Sequence, residues 1–266
     1  MNEHRDSSSP GGPEPGTDGW TRAFYEHPLA VALLPTADEL TERVACVERL
    51  LELAPGATVL DQCCGAGAMS LALAVRGHRV VGVDISRAFI ARAQAEADSR
   101  ALDACFTAAD ACAWRPPPAT CDGGFNWGTG FGCFDSDDGN RAMLARASEA
   151  LRPGARFALD YYNVAGVLAG FRDRFAYERP FEGRQVGIER DSELDLAAGA
   201  LHQRWRLRDG DQVVEFPRTT TRLYLPHALA ALLASVGLTV ERFEGDYCGG
   251  SLALSSPRCV AVARKQ

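Results

Sequence analysis

Lysine is nearly missing from this 266-residue chain: of its 28 basic residues, only Lys265 is a lysine. With the many alanines, that skew reads as the mark of GC-rich coding and carries no mechanism. A positive excess is missing too. The 28 Lys and Arg face 35 Asp and Glu, for a formal charge of −7 and a pI near 5.3. That balance argues against a polyanionic partner held by phosphate neutralisation, so no nucleic acid is expected. No apolar run approaches the roughly 18 residues a membrane-spanning helix needs, so no membrane is expected either. Internal repeats are absent. At 46% hydrophobic and 24% charged residues, the composition excludes disordered, collagen-like and fibrous classes. The nine cysteines match neither C-x-x-C nor zinc-knuckle spacing, and no histidine lies near Cys63-Cys64, so no metal is expected. The first twenty residues are polar and rich in Pro, Gly and Ser, unlike a signal peptide. A cytoplasmic protein with reduced, mostly buried thiols is the expectation.

What is present is an alternation. Met1 to Asp18 has no apolar run to offset ordering entropy and reads as a disordered tail before a domain over 19–266. Leu40, Val44, Val47, Leu50 and Leu51 recur at helical spacing between Thr36 and Leu53. A strand follows over Thr58 to Leu60, then a helix to Gly77, a strand over His78–Asp84 and a helix capped by Ser86. Strands over Cys105–Asp110 and Cys121–Trp127 lead to a helix over Gly139–Gly154 and a strand over Ala155–Tyr162. Strands separated by helices of this length signal βαβ units on a parallel sheet. The pattern changes after about Gly170. From Val186 to Leu225 the period is two, with Leu201, Gln203, Trp205 and Leu207 on one face and His202, Arg204, Arg206 and Arg208 on the other. Hairpin signals stand at Asp209-Gly210 and Ala198-Gly199. An antiparallel meander acting as a lid, about 171–225, is expected. A helix from Pro226 and two last strands resume the alternation.

The informative stretch is VLDQCCGAG, Val59 to Gly67, opening directly into a helix. Small residues there let a ligand approach the backbone and the helix N-terminus. Asp84 ends the second strand, near the spacing of about 20 residues at which an acid holds ribose hydroxyls. Asp61 narrows the choice of ligand. A carboxylate at the end of the first strand repels a dinucleotide's pyrophosphate, whereas it suits a ligand bearing an ammonium and a sulfonium.

VLDQCCGAG, VVGVDIS, FTAADA and GGFNWGTGFGCF resemble, in order and spacing, the successive motifs of class I S-adenosylmethionine-dependent methyltransferases, over about Trp20 to Tyr162. The resemblance implies an α/β fold: a Rossmann-like seven-stranded sheet with helices on both faces and a last, antiparallel strand. It implies S-adenosylmethionine as cofactor. It places Asp61, Gly65 and Gly67 at the methionine end, Asp84 on the ribose, Ile85 and Ala111 beside the adenine, Asp110 on its amino group, and Asn126 near the sulfonium. Cys63 stands where the family has its first glycine and is small enough to keep the backbone path.

Methyl transfer is an in-line displacement whose acceleration comes largely from positioning, so it has no compulsory base. His27, in FYEHP, is the base candidate, because the segment before the first helix folds over the cofactor in similar enzymes. Trp127, Thr129 and Phe131, then Tyr161 and Asn163, follow strands whose ends face the crevice. Tyr25, Arg222 and Tyr224 are expected to complete the acceptor wall, while the arginine row of the meander reads as a solvated face. The expected function is methylation of O or N on a small molecule of specialised metabolism. The alternative is a methyltransferase fold repurposed for cyclisation or elimination. A homodimer or accessory-subunit role stays open.

Overall fold

The computed structural model describes Phe24 and residues 27–33, 35–128, 130–134 and 136–266. The expected tail, Tyr25 and Thr129 lie outside the described residues. After a 3-10 turn over Pro28–Leu33, helix α1 (Ala37–Leu51) starts at a capping box. In it, Thr36 Oγ1 accepts from the Glu39 backbone and Glu39 Oε2 from the Thr36 backbone.

The chain then runs β1 (Thr58–Gln62), α2 (Ala68–Val75), β2 (Arg79–Asp84), α3 (Arg87–Ser99), β3 (Ala104–Ala108), β4 (Cys121–Asn126), α4 (Asp137–Ala150), β5 (Leu151–Tyr161) and α5 (Val164–Ala169). Strands β6 (Arg174–Phe181), β7 (Arg184–Asp195), β8 (Ala200–Asp209), β9 (Gln212–Glu215) and β10 (Thr219–Arg222) follow. Helix α6 (Pro226–Ala234), β11 (Leu238–Glu244) and β12 (Cys259–Lys265) close the fold. Seven strands form one sheet in the order β11-β12-β5-β4-β1-β2-β3, with β12 antiparallel to both its neighbours and the other pairs parallel. This is the sheet that the motifs lead one to expect.

Alternation within the strands builds a core on each face. Leu60, Phe157, Leu159, Ala261 and Ala263 pack under α4 and α6. Val59, Phe125, Ala158, Val260 and Val262 pack under α1 and α2. Strands covered on both faces read as continuous apolar runs. The strand order reverses between β1 and β4, which opens a crevice at their carboxyl ends.

The second sheet, β10-β8-β7-β6 with β9 on β8, is antiparallel throughout. Its first strand, Arg174–Phe181, falls within the stretch from about 171 expected for the meander but precedes the period-two run at Val186; Glu182 and Gly183, at φ 48° and 79°, close the tight hairpin that joins the two. The outward Arg206 and Arg208 pair with Glu189, and Arg206 also with Asp191. The α4 helix ends at Ala150 instead of the expected Gly154. Pro153 lacks an N–H and forces Arg152 to be extended, so these residues enter β5. Among the described residues no helix is long and apolar enough to cross a membrane.

Gly82 on β2 has no space for a side chain: a Cβ there would lie 2.5 Å from Phe106 Cδ1 and 3.0 Å from Cys64 Sγ. Gly82→Ala is expected to destabilise the fold by about 1–3 kcal/mol. In urea unfolding the midpoint falls while the slope is kept; an unchanged midpoint would contradict the packing described.

Candidate functional site

At the carboxyl ends of β1, β2, β4 and β5, beneath the second sheet, lies a cavity of about 350 Å³, within the range of small-molecule sites. Its floor is the loop between β1 and α2. Cys63, Gly65 and Gly67 all have left-handed backbones, at φ 64°, 57° and 75°. Glycine adopts this at no steric cost, whereas Cys63 is held there at about 1–2 kcal/mol. The path is closed by Cys64 N donating to Val83 O at 3.0 Å and Gly67 N to Cys64 O at 3.0 Å. A Cβ on Gly67 would meet Ala93 Cβ at 2.8 Å, so this glycine lets α2 and α3 approach.

Three acids line the cavity: Asp61, Asp84 and Asp110. Asp84 Oδ2 accepts from Gly65 N at 2.8 Å and Oδ1 from Ser86 N at 2.9 Å. Each of its oxygens keeps a lone pair for a ligand hydroxyl. Burial raises its carboxyl, against the pull of those backbone donors. Asp61 is buried and accepts from Ser70 Oγ at 2.6 Å. Burial pushes it up to about 7, opposed by Ser70, with Asp84 adding to the rise. Asp110 Oδ1 accepts from Cys112 N at 2.8 Å, so it also caps the turn that follows. Among the described residues none of the three has a cationic partner. One buried and two half-buried acids without a cationic partner among the described residues call for a ligand that brings positive charge and hydroxyl donors. S-adenosylmethionine, with its ammonium, sulfonium and ribose diol, fits this donor set, and a pyrophosphate does not.

Of the other expected cofactor and acceptor residues, Cys63, Gly65, Ile85, Ala111 and Trp127 line the cavity. Gly67 and Asn126 stand behind the loop, where Asn126 Nδ2 donates to Gln62 Oε1 at 3.2 Å. Phe131, Tyr161, Asn163, Arg222 and Tyr224 do not line the cavity; each has a structural task instead. Tyr161 falls on the same sheet face as Phe157 and Leu159, packs on Phe131 and donates to Arg222 O. Its neighbour Tyr162 turns the other way, into the cavity, because strand side chains alternate. Asp137 Oδ1 accepts from Arg222 Nε at 2.9 Å and Tyr224 Oη at 2.8 Å, which ties the second sheet to the start of α4. Asn163 caps α5 and donates to the carbonyls of Ala253, Leu254 and Ser256. His27 Nδ1 accepts from Leu29 N at 3.2 Å, its ring edge-on to Phe216, away from the cavity lining.

The sequence reading missed Arg43, on α1, along with Tyr162 and the roof residues Tyr177, Gln203, Trp205, Thr219 and Thr221. The roof had a signal, the inward register of Gln203 and Trp205; Arg43 had none, being one charge on the polar side of a helix. Also unforeseen is the fully buried Asp160. Its Oδ1 accepts from Arg258 Nε at 2.7 Å, and its Oδ2 from Gly128 N at 3.0 Å and Tyr247 Oη at 3.2 Å. Tyr247 lies on Trp127 at 5.2 Å between ring centroids, and Arg258 lies over Tyr162. One carboxylate thus braces two cavity walls.

Residues 59–154 match a family model described as a methyltransferase domain. The CcbJ methyltransferase of Streptomyces caelestis superposes with a TM-score of 0.76 at 20% identity, over 92% of this chain and 98% of that one. The sugar N-methyltransferase KedS8 of Streptoalloteichus sp. ATCC 53650 gives 0.71 at 17% identity over 100% of both chains. CalS10, an amino pentose methyltransferase of Micromonospora echinaspora solved with the cofactor bound, gives 0.65 at 20% identity, over 89% and 94%. At these identities the likeness is one of fold. A 97-residue segment is 34% identical to the 23S rRNA (uracil(1939)-C(5))-methyltransferase RlmD of Alcanivorax borkumensis, covering 32% of this chain. The match spans only about a fifth of that curated relative, 21% of its length. Residues 59–154 thus carry a methyltransferase domain, on a fold shared with these methyltransferases.

Asp61 sets a pH dependence. A carboxyl ordinarily near 3.8 that sits at about 7 when folded binds its proton more tightly in the folded state. Its stabilising contribution is full below pH 4 and is lost as pH rises through 7. The melting temperature of the cofactor-free chain is expected to fall between pH 5 and pH 8, and to fall less in Asp61→Asn. Equal falls in the two proteins would refute the assignment.

Proposed function

We propose that this chain transfers a methyl group from S-adenosylmethionine to an amino nitrogen of a small, hydroxylated natural-product acceptor, such as an amino sugar. The observation that carries this reading is the set of unpaired acids, Asp61, Asp84 and Asp110, gathered at strand ends under an aromatic roof. In this reading Asp84 takes the ribose hydroxyls, Ile85, Asp110 and Ala111 hold the adenine, and Asp61 with Gly65 meets the ammonium. Arg43 takes the carboxylate: it lines the cavity, its Nε is buried, and it has no hydrogen bond or ion pair among the described residues. S-adenosylmethionine supplies an electrophilic methyl group on sulfur.

Nitrogen is favoured over oxygen by the state of the acceptor-side groups. Burial raises the Tyr162 phenol and pushes the Cys133 thiol up to about 12, so both stay protonated at neutral pH. Neither removes a hydroxyl proton there. A neutral amine needs no such base, since its lone pair attacks directly and the proton leaves to water afterwards. Trp127 and Trp205 offer apolar faces, and Gln203, Thr219 and Thr221 offer partners for hydroxyls, a mix suited to a polyol. The sugar amines named for CalS10 and KedS8 support the same acceptor class.

Calorimetric titration with S-adenosylhomocysteine is expected to give saturable binding, weakened at least tenfold in Asp84→Ala through loss of charged hydrogen bonds of about 1.5–3 kcal/mol. Incubation with methyl-labelled cofactor and paired amino and hydroxy sugars is expected to label the amine. No binding by the folded chain would end the reading. Label on hydroxyl oxygen alone would end the preference for nitrogen, and binding with no transfer to any acceptor would point to the repurposed alternative.

A further inference from the structure

The inward face of the second sheet holds an arginine with no counter-ion among the described residues. Arg190 on β7 pairs in register with Phe175 on β6 and with Trp205 on β8. Directly paired residues share a face, and the guanidinium lies over both rings, 5.4 Å from the Phe175 centroid and 5.3 Å from that of Trp205. Trp205 lines the cavity, as do Tyr177 and Gln203, each two residues along a neighbouring strand on the same face. Arg190 is not itself a lining residue of the cavity; it stands immediately beside these three roof residues, on the same face of the sheet.

Its neighbours show what is unusual about it. Arg174 pairs with Asp191, Arg179 with Glu39, Arg184 with Asp209, Arg206 with Glu189 and Arg218 with Glu193. Arg190 is half-buried, its Nε is enclosed without a partner, and it makes no hydrogen bond or ion pair among the described residues. Two aromatic faces offset only part of the cost of removing a guanidinium from water. They do so while holding its planar fork fixed, the arrangement that suits a bidentate oxyanion. The cofactor brings one carboxylate, and Arg43 is placed for it. Arg190 is a second, separate cation without a counter-ion among the described residues.

We propose that Arg190 is the subsite for an oxyanion carried by the acceptor, a carboxylate or a phosphate, held against the roof while the amine faces the methyl group. This rests on the methyltransferase reading above and adds a charge requirement to its substrate. The aromatic pair sets the height of the guanidinium, and Gln203 and Tyr177 flank the bound anion.

The test uses the full chain saturated with S-adenosylhomocysteine, so that Arg43 and the acids are engaged. It is titrated with inorganic pyrophosphate in one arm and with succinate in the other, followed by calorimetry and by tryptophan fluorescence, to which Trp205 contributes. Saturable binding of one anion is expected, and which arm binds identifies the group. Arg190→Gln weakens it at least tenfold, Arg190→Lys restores part of it, and Arg204→Gln, an exposed arginine on the other face of β8, leaves it unchanged. Binding that is equal in the native chain and Arg190→Gln, or equally reduced by Arg204→Gln, overturns the subsite, as does no saturable binding in either arm. S-adenosylhomocysteine affinity, measured in the same samples, separates the two proposals. If it is retained while anion binding fails, only the subsite falls. If it is absent in the native chain, the methyltransferase reading falls, and the anion titration of the unloaded chain still decides Arg190.

Discussion

Two hydrogen bonds to one carboxylate hold the cofactor end of this molecule together. Asp84, at the last position of β2, takes the backbone N–H of Gly65 from the loop after β1 and that of Ser86 from the start of the following helix. Two βα turns that are far apart in sequence are thereby locked to each other. The left-handed run at Cys63, Gly65 and Gly67 is held in place by that lock, and the loop is kept open enough to receive a ligand. The same carboxylate is raised by burial and keeps two lone pairs free, so the group that orders the loop is also a group that the ligand must satisfy. Among the described residues no arginine is paired with it, which leaves that desolvated charge facing the cavity.

The opposite end of the cavity follows a different rule. Asp160 is fully buried but paired with Arg258, and its remaining contacts go to Gly128 and Tyr247. A satisfied buried pair of this kind gives little net stability, but it fixes geometry. Through Tyr247 and Arg258 it braces Trp127 and Tyr162, whose aromatic surfaces then form a preformed wall of the cavity. The second sheet closes the cavity from above, docked by the Asp137 carboxylate that joins Arg222 and Tyr224 to the start of α4, and an apolar cluster around Phe24, Ile188 and Leu207 packs the segment before α1 against that sheet. Acids without protein cations among the described residues thus mark one end of the cavity, and aromatic surfaces under a roof mark the other.

Much of the fold was legible because its signals are local. Apolar runs such as those of β2 and β12 report strands covered on both faces. Helical spacing in α1, the cap at Ser86 and the glycine loop are each readable within a few residues. The β6 strand was missed because its alternation includes Arg179 and Pro180, which dilute a period of two. Within the site, the residues tied to the glycine loop and to the ends of β2 and β4 line the cavity, apart from Gly67 and Asn126. The aromatic wall was harder to read. Tyr161 and Tyr162 are adjacent and chemically alike, and which of them faces the crevice depends on the parity of β5, which a motif cannot report. Arg222 and Tyr224 carry the residue types of a binding wall, yet Asp137, some 85 residues away in sequence, claims them both.

What the sequence determined by itself is the α/β alternation, the glycine loop with its acids at fixed spacing, and through them the class of cofactor. These follow from short-range geometry: a turn that needs glycine, a carboxylate two donors wide, a charge that excludes phosphate. What only the tertiary structure decided is which side chains are spent on holding the molecule together and which are left facing the cavity. Asp160 and Asp61 are both strand-end aspartates, but only one has an arginine beside it. Arg190 and Arg206 lie on strands of the same sheet, and among the described residues only Arg206 of the two finds a carboxylate. A charge becomes available for ligand when nothing else in the fold neutralises it, and that depends on partners brought together from distant parts of the chain.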